Sequence, residues 1–197
     1  LIDAQTPGVI REAPYQLMGG HALGTSGFTF QGCEVGLERV LVAPGRGFRA
    51  AMQGIDLARI NVAAMCCGML ESALATAMEM TSKRRAFGQA VINFQGLQWM
   101  LADVATDLEA AKALTWRAAE LADLGEGATI VSAHAKKFAT RVALNGIAQC
   151  MQAMGADGLR TDHPLARHLA AAKMSQFMDG TSEIQNVVIS RELMKSS

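Results

Sequence analysis

The 197-residue chain has few aromatics, few prolines and no surplus of charge of either sign. Eighteen Lys and Arg face eighteen Asp and Glu, a formal net charge of +0. That balance lacks the basic excess or stripe with which a nucleic-acid binder neutralises phosphates, so no nucleic-acid partner is expected. Prolines number four, three of them (Pro7, Pro14, Pro44) near the start. Cysteine is scarce as well: Cys33, Cys66, Cys67 and Cys150 show no CxxC spacing, and Cys66 and Cys67 sit in an apolar run. They read as reduced, mostly buried thiols. His163 and His168, the closest His pair, have no Cys nearby, so no metal site is expected. No 18-residue apolar run escapes polar interruption, so no membrane span is expected either. What the chain does hold is 50% hydrophobic residues with only 5% aromatic ones. Ala, Leu, Val, Ile and Met dominate, which excludes a disordered chain and favours helices packed closely on helices.

Residues 1–45 differ from the rest. Gly19, Gly20 and Gly24 join the prolines as punctuation, and short runs of strand character lie between, at 27–31 and 38–42. Phe28 with Phe30, and Val40 with Val42, have the period of two expected of half-buried strands. Strands this short cannot make a stable sheet alone. The chain also opens at Leu1 without Met, so residues 1–45 read as the cut end of a larger β-domain.

From position 46 the pattern is helical. The first helix is expected over 48–83, with Ile55, Val62, Met65, Met69, Ala73 and Ala77 along one face. A second is expected over 94–124, where Leu97, Leu101, Val104, Leu108 and Ala111 form a heptad-like stripe, Asn93 is the N-cap and Gly125 the stop. A third, over 128–154, carries Val131, Ala135, Phe138 and Val142, and its stripe continues into the polar Asn145, Gln149 and Gln152. A short helix follows Pro164, and a last one starts near Thr181-Ser182-Glu183, a capping hydroxyl followed by first-turn acid. The expected fold is mainly α: an antiparallel four-helix bundle over 46–197, preceded by a short β segment.

Three features could carry chemistry. Gln149, Gln152 and the helix-ending Gly155 are either an exposed helix end or a polar pocket at the end of the bundle. Lys83, Arg84 and Arg85 either complement a helix dipole, with Gly88 as the stop, or form an anion site with Phe87 as a flat platform for a base. Asp179-Gly180-Thr181-Ser182 is either a plain helix cap or a carboxylate set near Phe177 and Met178 to act as a general base.

These features occur in a recurring order: Arg84-x-x-Phe87-Gly88, Phe94-Gln95, Gln152 to Gly158, Pro164, Lys173 and Asp179 to Gln185. Upstream stand Thr6 to Val9, Gly45 to Phe48 and Asp56-Leu57-Ala58-Arg59. The whole pattern resembles the acyl-CoA dehydrogenases, over the tail of their middle β-domain and their C-terminal helical domain. The resemblance implies an FAD-dependent oxidation of an acyl-CoA thioester to the trans-2-enoyl-CoA, with electrons passed to an electron-transferring flavoprotein. It implies Asp179 as the catalytic base, where the commonest subgroup has Glu. Arg84, Phe87 and Gln95 then correspond to a segment reaching the FAD of a neighbouring subunit. Gln152 and Gly155 match the turn holding the adenylate half, and Thr181 and Glu183 match residues near the flavin. Arg59 and Gly180 are expected on the substrate side. The resemblance further implies a homo-oligomer, a dimer of dimers, located in the cytoplasm or, in a eukaryote, the mitochondrial matrix. Two departures matter. Asp shortens the base by one methylene, roughly 1.5 Å on ordinary bond lengths, and Ala58 closes the alternative of a base on the first helix. Asp as base is closer to the nitroalkane oxidases of the same superfamily, and a catalytically silent oligomerisation subunit is the non-enzymatic alternative. As an isolated piece the chain is expected to be inactive.

Overall fold

A computed structural model describes residues 1–195, the side chain of His21 apart; Ser196 and Ser197, the end of the expected C-terminal domain, lie outside the described residues. The chain divides into two compact units, Leu1–Gly54 and the residues from Ile55 onward.

The first unit contains one antiparallel ladder, β1 (Val9–Arg11) on β2 (Phe28–Phe30), with Val9 opposite Phe30 and Arg11 opposite Phe28. The alternation expected at Phe28 and Phe30 is present, but both rings are exposed, because a two-stranded ladder has no second layer to cover them. The run at 38–42 is not a strand. Its start is a 3-10 turn, Leu37–Arg39, closed by the Val40 N–H on the Leu37 carbonyl. Among the described residues no strand pairs with it, so the ladder bonds that would hold it extended are missing.

The second unit is built on α1 (Gly47–Lys83) from Ile55 onward, α2 (Gln95–Asp123) and α3 (Thr129–Met154), followed by α4 (Leu165–Ser175) and α5 (Ser182–Lys195). The fold is mainly helical with small β segments, as expected. No proline interrupts the chain between Pro44 and Pro164, so nothing breaks the three long helices from within. By length and composition α1 could cross a membrane; it is instead a core helix that buries Ile60, Val62, Ala63, Cys66, Leu70, Ala73 and Ala77. Met65, expected on that face, is exposed, since the buried stripe drifts around so long a helix. On α2 the expected stripe is buried at Leu101, Val104, Leu108 and Ala111. Gly125, in left-handed geometry at φ 69°, ends the segment with the Glu126 N–H on the Leu121 carbonyl. Asn93 does not cap α2. It closes a 3-10 turn, Val91–Asn93, and Phe94 takes the cap position without a side-chain hydrogen bond.

After α1, Gly88 does not act as a helix stop. The helix ends at Lys83 and the chain doubles back as a hairpin, β3 (Arg85–Ala86) on β4 (Gln89–Ala90). Phe87 and Gly88 form its two-residue turn at φ 52° and 83°, the left-handed pair that tight hairpins demand.

At Gly146, α3 packs tightly against side chains of both α1 and α2. A Cβ placed there would lie 2.6 Å from Leu70 Cδ1 of α1 and 3.3 Å from Val104 Cγ1 of α2. Gly146→Val therefore overpacks the junction, with an expected loss of about 1–3 kcal/mol. The check is thermal unfolding, with a midpoint lower by roughly 2–4 °C per kcal/mol. The thiols supply a second check. Burial pushes Cys66 and Cys150 up to about 11 and raises Cys67, whereas Cys33 is only half-buried. At pH 8 the folded protein is expected to take iodoacetamide at Cys33 and to protect the other three until denatured, as read by peptide mass.

Candidate active site

Two clusters gather the residues singled out in the sequence, both within the helical unit. The first surrounds the connection between α4 and α5. Asp179 and Gly180 both have positive φ, 49° and 93°, so the chain turns sharply just before α5. Asp179 is half-buried, and a non-glycine residue in this conformation is strained unless its surroundings hold it there. Donors from three helices do so. Arg59 Nε of α1 donates to the Asp179 carbonyl at 3.3 Å. Lys136 Nζ of α3 donates to the Gly180 carbonyl at 2.7 Å and to the Gln176 carbonyl at 3.0 Å. Gln185 Nε2 of α5 donates to the Gly180 carbonyl at 2.9 Å and to the Thr181 carbonyl at 3.3 Å. Gln185 Oε1 is buried without a partner among the described residues. Reversing that amide would set an oxygen against two carbonyls, so the orientation follows from its surroundings.

Arg59, expected on the substrate side, is only 5% exposed. Its Nη1 pairs with Asp56 at 2.9 Å, and Asp56 in turn accepts from the Thr129 hydroxyl at the start of α3. A guanidinium so engaged is a fixed strut for the Asp179 backbone. Thr181 sits at the N-cap of α5, its hydroxyl 3.4 Å from the Ile184 N–H. Glu183 is exposed, and hydrogen bonds from Thr181 and from its own N–H hold its carboxyl below the usual range. Lys136 was missed by reading the sequence. It is 0% exposed, and burial pushes its ammonium below its ordinary pKa. One signal was available: Lys136 stands three and four residues before Ala139 and Thr140, on the face that continues through Ala143 and Ile147, all buried.

The second cluster lies where α1 and α3 end. Arg84 Nη1 donates to the Met154 carbonyl at 3.2 Å and meets Asp157 Oδ2 at 3.4 Å. Beside it is a cavity of about 240 Å³ lined by Met80, Thr81, Lys83, Arg84, Met154 and Asp157. Gly155 turns the chain with φ 64° and ψ −141°, and a Cβ there would stand 3.2 Å from Arg84 Nη1. The 3-10 turn that follows, Gly155–Leu159, is tied to α4 through His163. Its Nδ1 accepts from the Leu165 N–H, so Nε2 carries the proton and donates to the Asp157 carbonyl at 2.9 Å. Phe87 projects from the hairpin turn at 96% exposure, edge-on to Phe94 with ring centroids 6.1 Å apart. Gln95 and Gln152 are exposed. The structure thus brings Arg84 to Gly155, and separately Asp179, Gly180, Thr181 and Arg59 to one loop.

Residues 45–194 match the family model described as Acyl-CoA dehydrogenase, C-terminal domain. The chain is 36% identical over 196 residues to the mitochondrial short-chain specific acyl-CoA dehydrogenase of Rattus norvegicus, covering 100% of this chain and 48% of that protein. Among solved structures, it is similar to butyryl-CoA dehydrogenase from Megasphaera elsdenii, with a TM-score of 0.95 and 35% identity over 98% of this chain and 50% of that one. It is also similar to a chain in a structure described as the electron transferring flavoprotein of Acidaminococcus fermentans, with a TM-score of 0.94 and 38% identity over 98% of this chain and 50% of that one. The chain belongs to the acyl-CoA dehydrogenase family, a family of flavoprotein oxidoreductases, and spans about half the length of the curated relatives it matches.

The Asp179–Gly180 turn yields a direct check. A Cβ at Gly180 would lie 3.1 Å from Gln185 Nε2 and 3.2 Å from Ile184 Cγ2, on a backbone that L-residues rarely adopt. Gly180→Ala is expected to cost about 1–3 kcal/mol. A thermal midpoint equal to the parent's would show instead that the turn relaxes freely.

Proposed function

We propose that this chain is the C-terminal portion of an FAD-dependent acyl-CoA dehydrogenase in which Asp179 is the catalytic base. The observation that carries the reading is a half-buried carboxylate on a strained left-handed residue, with its own carbonyl and the next one held by donors from the bundle. Such pinning is what proton transfer needs, since the base must reach its proton at roughly 3 Å.

The residues present fit the cofactor. Arg84, braced at Nη1 by Met154 and Asp157 and half exposed, offers a cationic fork for a phosphate beside a glycine turn that a side chain would crowd. Phe87, Gln95 and Gln152 add an exposed aromatic face and exposed amides for the nucleotide. Thr181 and Glu183 stand at the start of α5, where the flavin end is expected. When bound, FAD would supply the acceptor for the β-hydrogen, which leaves with its electron pair. The carboxylate of Asp179 takes the α-hydrogen as a proton, and the electrons of that C–H bond become the new double bond. Arg59, through the Asp179 carbonyl, and Gly180, through its left-handed backbone, hold the turn that carries the carboxylate.

Residues 1–45 belong, on this reading, to the middle β-domain of the whole protein. That protein acts as a homo-oligomer, a dimer of dimers, on acyl-CoA and passes electrons to an electron-transferring flavoprotein. The shorter Asp favours a second reading, a flavin oxidase of the nitroalkane-oxidase kind. Rapid reaction of the reduced flavin with O₂ in the full-length protein would select it.

Asp179→Asn in the full-length flavin-loaded protein tests the assignment. Turnover is expected to fall by roughly 10²- to 10⁴-fold, the usual contribution of a positioned base, with flavin content unchanged. Turnover at the parental rate would reject Asp179 as the base.

A further inference from the structure

The loop that carries Asp179 is closed at its base by one backbone hydrogen bond and a buried cation. The Gln176 carbonyl accepts from the Ser182 N–H at 3.1 Å and from Lys136 Nζ at 3.0 Å. The Gly180 carbonyl accepts from the same Nζ at 2.7 Å and from Gln185 Nε2. One ammonium therefore joins the two ends of the segment 176–180, and Asp179 lies between the joined points. Lys136 reaches this position from the first half of α3, and it is fully buried.

Helix packing does not account for a lysine here. A buried ammonium loses its hydration, and an apolar side chain of similar volume usually serves a core as well or better. Lys136 is in none of the ion pairs among the described residues, and its two hydrogen bonds both go to main-chain carbonyls. Burial pushes its pKa down with Arg59 adding to the effect, while Cys66, Asp179 and Glu183 act in the opposite direction. Those carbonyls leave a helix end and enter an irregular turn inside the protein, where each must find a donor. The charge is retained where only a donor with several N–H bonds and a long stem can bind both carbonyls at once.

We propose that Lys136 is the positioning residue for Asp179: by joining the Gln176 and Gly180 carbonyls it holds the left-handed Asp179–Gly180 pair and so sets the carboxylate. The proposal rests on the reading of Asp179 as the base. It assigns to α3 a part in the reaction, through the backbone and without contact to substrate. Arg59 and Gln185 hold only the 179–181 side of the turn, whereas the Lys136 side chain reaches both that side and the Gln176 carbonyl.

The test is Lys136→Met in the full-length flavin-loaded protein, which keeps the stem and removes every N–H. Turnover with an acyl-CoA thioester should fall by about 10- to 100-fold in kcat with KM within threefold, the pattern of a misplaced base. Amide hydrogen exchange should rise at least tenfold in the peptides covering 176–182 and stay within twofold in α1 and α2. Parental kcat with unchanged exchange at 176–182 would overturn the proposal, and so would a uniform rise across the bundle, which would make Lys136 a general scaffold residue. If Lys136→Met does not fold, Lys136→Gln, whose shorter stem still carries an NH₂ donor, takes the same two readouts. Failure of both variants to fold would also overturn the positioning role. Asp179→Asn measured in parallel separates the two readings. An inactive Asp179→Asn beside a fully active Lys136→Met removes only the Lys136 assignment, whereas an active Asp179→Asn removes the reading beneath it.

Discussion

Carbonyl groups that leave a helix inside a protein must find donors, and in this chain that requirement organises the functional end of the molecule. Between α4 and α5 the backbone turns through two residues of positive φ, and its carbonyls face Arg59, Lys136 and Gln185. Each donor comes from a different helix, α1, α3 and α5. The turn that presents Asp179 can thus take its shape only when those helices are packed together. Stability of the bundle and geometry of the site are one constraint here. A bound ammonium in an apolar interior is costly when its partners move, which makes the arrangement sensitive to small displacements.

The bundle meets that constraint with small side chains. Ala63, Ala73, Ala77, Ala111, Ala118, Ala135, Ala139 and Ala143 are all buried, and Gly146 leaves room for Leu70 of α1 and Val104 of α2. From α3, the Lys136 stem reaches the carbonyls of the α4–α5 loop. The opposite arrangement appears at the ends of α1 and α3, where Arg84 is half exposed and held by one carbonyl and one carboxylate. A group braced on one side and open on the other suits binding, and a group enclosed on all sides suits positioning. Lys136 and Arg84, both cations, differ in that physical sense.

Much of the helical framework was legible because its signals are local. The span of α2, the Gly125 stop and the start of α5 at Thr181 follow from periodicity and end chemistry that a dozen residues contain. Where local rules failed, a neighbour decided. Gly88 reads as a helix stop until the chain beyond it pairs as β4. Asn93 reads as a cap until a 3-10 turn takes it. The run at 38–42 reads as a strand until no partner strand appears beside it.

By itself the sequence determined the helical class, the places where long helices start and stop, and the ordered motifs that tie the chain to its family. It also singled out the Asp179–Gly180 loop and Arg84 as candidates, and the resemblance to the family supplied the roles expected of them. Only the tertiary structure decided that Arg59 turns to the Asp179 backbone and that Lys136, next to the less buried Lys137, is enclosed in the core. The reason is geometric. A hydrogen bond between residues 136 and 180 depends on how helices far apart in the chain come to lie side by side, and no local pattern encodes that distance.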